Sequence, residues 1–277
     1  MGNLLPPRII KQRIILFYLF TFSISWTFWL VMFFFFKGTG ATNLTGYFVL
    51  IPSTLGALGP LFSLKILERL TKKEVDLKKI LSMAKIRVAK KTWFILAVLG
   101  LPTITVFGNL LYFLAGRESQ LRLIKPGLDE LGFFVLAVMA VHFAAALVTS
   151  PLFEEPGWRG FALGNLQRRF GREAGSLIVG TLWWVWHQPM NLSFGIQPTI
   201  YGFLSMVTYS FMIDSLFNLS GKNLFTAMLA HQSLGTLNIF IYEGDENVLT
   251  LVLLIGLAGL LRFLERKNAS VKKDVYL

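Results

Sequence analysis

From Ile14 to Phe36 no residue is charged. A helix of that length crosses about 30 Å of hydrocarbon, because each residue advances it by about 1.5 Å. A helix on a soluble core shows one apolar stripe and a polar back, and this run has no polar back. Comparable runs follow at Leu44–Leu67, Trp93–Ala115, Leu131–Phe153, Ala174–Met190, Ile196–Phe217, Leu224–Tyr242 and Val248–Leu264. The reading is an all-α polytopic membrane helix bundle of about eight transmembrane helices. Composition agrees. With 54% hydrophobic residues, 26 Phe and 7 Trp in 277 residues, too little polar side chain remains to cover a soluble domain. Arg262 interrupts the eighth run and is expected to snorkel to the interface.

The formal net charge of +12 is distributed by loop. Arg8, Lys11 and Arg13 precede the first run. The second loop, within a basic segment 68–91, carries Arg69, Lys72, Lys73, Lys78, Lys79, Lys85, Arg87, Lys90 and Lys91. The fourth loop has Arg159, Arg168, Arg169 and Arg172, the sixth Lys222, and the tail Arg266, Lys267, Lys272 and Lys273. The seventh loop is acidic, with Glu243, Asp245 and Glu246. Eight crossings place every basic loop and both termini in the cytoplasm, and seven do not. This charge faces an anionic leaflet and excludes a nucleic-acid partner. Leu77, Ile80, Leu81, Ala84 and Val88 recur at helical spacing among the lysines, as in an interfacial amphipathic helix or a plain solvated loop.

The absence of cysteine excludes disulfides, thiolate metal sites and cysteine nucleophiles. The first run reads as a signal anchor, being too long for a cleaved signal core. Pro6 stands where a myristoylation motif following Gly2 needs Ser or Thr. No internal repeat is apparent, and residues 1–277 read as a single transmembrane domain.

Ionisable residues inside apolar runs cost at least about 2.5–3.5 kcal/mol each at the bilayer centre, so they mark functional candidates. The chain has three histidines, His142, His187 and His231, all within or beside such runs. In Phe153-Glu154-Glu155-Pro156-Gly157-Trp158-Arg159-Gly160, two adjacent carboxylates suit general acid–base work. Arg159 sits four residues past Glu155, within reach of an ion pair on a helix. Pro156 and Gly157 predict a kink there. The same segment also reads as a charged helix end at the interface. In Trp183-Trp184-Val185-Trp186-His187-Gln188-Pro189, Trp183 lies one turn before His187, so indoles can exclude water from an imidazole. An interfacial aromatic belt has the same composition. In His231-Gln232-Ser233-Leu234-Gly235-Thr236, with Asn238 two turns past the histidine, an imidazole and an amide can donate to a developing oxyanion. Polar glue between helices is the alternative.

In this order the three segments resemble the CAAX-protease and bacteriocin-processing family of intramembrane proteases, also called Abi proteins. Its pattern is EExxxR, an aromatic followed by xxxH, and HxxxN. This chain has Glu154-Glu155-xxx-Arg159, Trp183-xxx-His187 and His231-xxx-Gly235. The likeness covers a catalytic core of about 131–240, and EEPGWRGFAL is close to bacterial members. The earlier runs match in general character, with Gly59-Pro60 of a familiar kind.

The resemblance implies an intramembrane endopeptidase of a bacterial plasma membrane, acting on a membrane protein or peptide. Glu154 would activate water with help from His187, Glu155 and Arg159 would orient and neutralise the pair, and His231 would hold the oxyanion. Members are usually labelled metalloproteases. Glu154, His187 and His231 would leave one position open on a zinc or other divalent metal, and the same residues also serve a metal-free glutamate–histidine mechanism. Position 235 departs from the pattern, since glycine has no side chain to donate. Losing one oxyanion donor costs about 2.7–4 kcal/mol. Asn238 shares the face of His231 but lies about 4.5 Å further along the axis than residue 235. Two other functions compete. One is a non-catalytic immunity or scaffold protein of the same fold. The other is a small transporter using Asp214 and the histidines as a relay. His142 and Asp214 fall outside the motifs. Because Glu154 and His187 cannot meet across two straight helices, Trp158–Leu166 is expected to stay within the membrane after the kink.

Overall fold

The computed structural model describes residues 7–36, 43–72, 74–86, 90–117, 120–242 and 247–274. Among them every regular element is helical, apart from one isolated antiparallel bridge between Ile124 and Ile241. The helices are α1 (Pro7–Phe36), α2 (Asn43–Ala57), α3 (Gly59–Leu70), α4 (Leu77–Leu81), α5 (Thr92–Leu114), α6 (Phe134–Leu147), α7 (Ser150–Glu155), α8 (Gly164–Phe170), α9 (Arg172–Ser193), α10 (Ile200–Leu219), α11 (Leu224–Phe240) and α12 (Val248–Asp274). A π-helical segment, Pro156–Leu163, joins α7 to α8.

Six stretches among the described residues are long and apolar enough to cross a membrane: Gln12–Phe35, Leu50–Leu70, Thr92–Leu114, Phe134–Phe170, Ile200–Leu219 and Val248–Asn268. The expected count of eight is thus not confirmed. The other two expected spans are helices as well, α9 and α11, but fall outside that set. They carry His187 and His231. Their polar side chains lower the apolar content of α9, and α11 has only 17 residues. The fourth span also differs from expectation. It does not end at Phe153 but continues through the glutamates to Phe170.

The chain divides into two compact units, 1–83 with 152–207 and 84–151 with 208–277. In the first unit, α1 packs on α2, α3 and α9. Thr21 Oγ1 donates to Ser63 Oγ at 3.0 Å, and Ser25 Oγ to the Gly56 carbonyl at 2.7 Å. Such bonds satisfy hydroxyls where lipid supplies no partner. Phe17, Trp29, Leu64, Trp158, Leu163, Val179, Trp183 and Trp186 fill the core. The basic loop forms a helix of one turn and a half, shorter than expected. Asp76 caps α4 through the Lys79 amide at 2.9 Å, and Ile80 is buried. Ala84 lies beyond its end, while Lys73, Arg87 and Val88 lie outside the described residues.

In the second unit, α5 packs on α11 and α12, and α6 on α11. Ser233 Oγ donates to the Val98 carbonyl at 2.8 Å. Arg262 does not snorkel. It is buried, donating to Glu265 Oε2 at 2.8 Å and lying 3.9 Å from Asp214 Oδ2, with its guanidinium over Phe211. An internal carboxylate partner removes the need to reach water. The helix accordingly runs through Arg262 to Asp274. The acidic residues Glu243, Asp245 and Glu246 lie outside the described residues, as do Gly2 and Pro6.

Candidate active site

The local fold of the glutamate pair follows from Pro156. Its ring has no N–H to return to the preceding turn. The backbone widens into a π-helix over Pro156–Leu163 instead of kinking to a stop. Such segments are rare and concentrate at functional sites. Gly157 is required by close approach: a Cβ there would lie 2.7 Å from Pro60 Cβ and 2.9 Å from Phe17 Cζ. The π segment is buried by α1 and α3 in this way. Glu154, Glu155 and Arg159 are 2%, 0% and 1% exposed, so they are no solvated helix end. Leu163 and Leu166 are buried too.

A single residue, Gly171 at φ +84°, reverses the chain between α8 and α9. That conformation favours glycine. It returns α9 along α8 and sets Trp183 and His187 beside the glutamates.

Trp183 organises the cluster. Its Nε1–H donates to Glu154 Oε2 at 3.0 Å. Its carbonyl oxygen lies 2.7 Å from His187 Nδ1. A carbonyl only accepts, so Nδ1 carries the proton, and in the neutral ring the lone pair sits on Nε2. Its indole face meets the Arg159 guanidinium at 4.9 Å, while Arg159 Nη1 donates to Glu155 Oε1 at 2.9 Å. The ion pair expected from the i, i+4 spacing is present, with both side chains at 0% exposure.

Two further tryptophans meet the His187 ring, Trp186 from the expected indole cluster and Trp29, which only the structure brings there, and a third, Trp158, backs Trp186. Trp186 meets the imidazole edge-to-face at 4.7 Å, and Trp29 of α1 lies parallel to it at 6.1 Å. Trp158 packs on Trp186 at 5.4 Å. Trp26 Nε1 donates to the Trp186 carbonyl at 3.0 Å and Trp29 Nε1 to the Ser53 carbonyl at 3.1 Å, tying α1 to α9 and α2. The signal for Trp26 and Trp29 was weak. Two indoles in a phenylalanine-rich run look like bilayer-facing aromatics.

The first unit therefore brings Glu154, Glu155, Arg159, Trp183 and His187 together. His231, Gly235 and Asn238 belong to the second unit, on α11. His231 is 8% exposed. Asn238 is exposed, and its carbonyl accepts from Lys125 Nζ. Gln232 Nε2 donates to Thr236 Oγ1 at 3.1 Å, and Thr236 Oγ1 lies 3.4 Å from His142 Nδ1. A zinc with one open position needs three protein donors. The first unit offers Glu154 and His187, and among the described residues no group of three His, Asp or Glu is placed to hold a metal ion. The third donor expected from the resemblance, His231, belongs to the second unit.

A family model described as type II CAAX prenyl endopeptidase, Rce1-like, matches residues 135–237. A CAAX prenyl protease 2 from Methanococcus maripaludis is 30% identical over 110 residues, which is 36% of this chain and 41% of that protein. The match thus spans less than half of that relative's length. It bears out the resemblance read from the three motifs: the segment that carries Glu154, Glu155, Arg159, His187 and His231 is Rce1-like.

Proposed function

We propose that the chain is an intramembrane endopeptidase hydrolysing a peptide bond of a membrane-associated protein or peptide. The observation that supports this best is the double role of Trp183. One residue holds the Glu154 carboxylate by its indole N–H and the His187 ring by its carbonyl. A carboxylate and an imidazole fixed from one point, walled by aromatic rings, suit the activation of one water molecule.

In this reading Glu154 takes a proton from water while His187 orients it through Nε2. The hydroxyl oxygen bonds to the scissile carbonyl carbon, and the carbonyl π pair moves to oxygen. His231 donates to that oxyanion, the role the family pattern assigns it. Collapse breaks the C–N bond, and the proton held by Glu154 passes to the leaving amine. Glu155 and Arg159 are positioning residues, because their pair fixes the face of Trp183. No step is routed through a metal.

The name of the archaeal relative concerns CAAX termini. For this chain the proposal is an integral membrane peptidase, with bacterial origin and cytoplasmic termini carried by the motif likeness and the loop charges. Gly235 favours a second reading, a non-catalytic immunity or scaffold protein of the same fold. The deciding experiment compares the termini of membrane proteins by mass spectrometry in cells carrying wild type or Glu154→Ala. New termini that vanish in the variant establish the protease and name its substrates. Identical termini, with both proteins expressed equally, establish the second reading.

A further inference from the structure

We infer that Gln232 supplies the amide donor that the HxxxN pattern places at position 235; this rests on the peptidase reading above. The space around Gly235 carries the argument. A Cβ built there would meet the Gln232 side chain and nothing nearer, with Nε2 and Oε1 at 3.7 Å and the amide carbon at 3.9 Å. Those are ordinary van der Waals distances, so Gln232 presents its carboxamide at the edge of the space that an asparagine side chain on residue 235 would enter. One turn of α11 thus keeps an amide in place although the residue supplying it has moved from 235 to 232.

The group is also held. Gln232 is 3% exposed and its Nε2 donates to Thr236 Oγ1 at 3.1 Å. The threonine hydroxyl in turn lies 3.4 Å from His142 Nδ1. With Nε2 as the donor to Thr236, one of the amide's two N–H groups is used. The second remains to act beside His231, the preceding residue. Thr236 and His142 are positioning residues in this account, which explains a histidine lying outside the family motifs. Residues 232 and 235 lie on neighbouring positions of one helix face, three apart, and the longer glutamine side chain brings its amide to 3.7 Å from the Cβ position of residue 235.

The test measures Glu154-dependent cleavage by purified full-length protein in vesicles, on the substrate named by the terminal comparison. Gln232→Ala and the isosteric, acceptor-only Gln232→Glu are each expected to lower kcat about 10²-fold or more, the usual effect of deleting one oxyanion donor, with KM little changed. Gly235→Asn introduced into Gln232→Ala is expected to restore most of that loss, which also shows that the variant folds. Gly235→Asn alone is expected to gain nothing, because the two amides compete for one space. Gln232→Ala remaining near wild-type kcat overturns the inference, and so does equal rescue of Gln232→Ala by Gly235→Ala, since a methyl group only fills volume. A wild type silent until Gly235→Asn awakens it likewise overturns the inference but leaves the peptidase reading standing. No Glu154-dependent cleavage by wild type or by Gly235→Asn overturns both.

Discussion

Replacing Arg159 by methionine should destabilise the protein far more than a change of shape would suggest. Both members of the Glu155–Arg159 pair have 0% side-chain exposure, with Nη1 to Oε1 at 2.9 Å. Taking one partner away from a buried pair leaves a desolvated charge and costs about 3–5 kcal/mol. Loss of the guanidinium from the Trp183 face, at 4.9 Å, adds about 0.5–2 kcal/mol. Converting both residues, as Glu155→Gln with Arg159→Met, removes the uncompensated charge, so the double variant should recover most of that loss. The assay is thermal unfolding of the purified variants in detergent. At about 2–4 °C per kcal/mol, the single variant should melt about 7–28 °C below wild type. The double variant should melt between the two, without cleavage activity. An Arg159→Met loss below about 1 kcal/mol, or a double variant whose loss equals the sum of the singles, would refute the reasoning.

Three further outcomes follow from the same geometry. Trp183→Phe keeps an aromatic ring and the backbone carbonyl that fixes His187, but deletes the 3.0 Å bond to Glu154. A hydrogen bond to a charged group contributes about 1.5–3 kcal/mol to stability, so melting should fall by about 3–12 °C and kcat should fall with it as Glu154 loses its anchor, as steady-state kinetics beside a melting curve will show. Gly157→Ala places a methyl 2.7 Å from Pro60 Cβ. Overpacking of this kind costs about 1–3 kcal/mol, and unchanged melting would mean that α3 yields freely. Chelation should leave Glu154-dependent cleavage intact under the proposed mechanism, which activates water with Glu154 and His187 alone. Loss with EDTA, restored by zinc, would show a metal in the reaction.

Much of this protein was legible in the order of its residues. Charge-free runs such as Ile14–Phe36 state the all-helical membrane fold, because hydrocarbon tolerates little else of that length. The i, i+4 spacing of Glu155 and Arg159 states their ion pair, since a helix leaves such residues facing one another. The number of apolar spans was less legible. Polar residues that serve the site dilute α9, and a span is judged by its dilution. Pairing across helices was not legible at all. Arg262 looked like a snorkelling end until Asp214 and Glu265 proved to meet it. Nothing in the sequence singled out Trp29, which α1, packed against α9, lays beside His187. The widening at Pro156 appeared in the sequence only as a missing donor. Whether a missing donor breaks, kinks or widens a helix is decided by what packs on it, here Pro60 and Phe17 against Gly157. Local chemistry is written along the chain, whereas contacts between distant segments depend on how every helix packs at once, and that packing is a property of the tertiary structure alone.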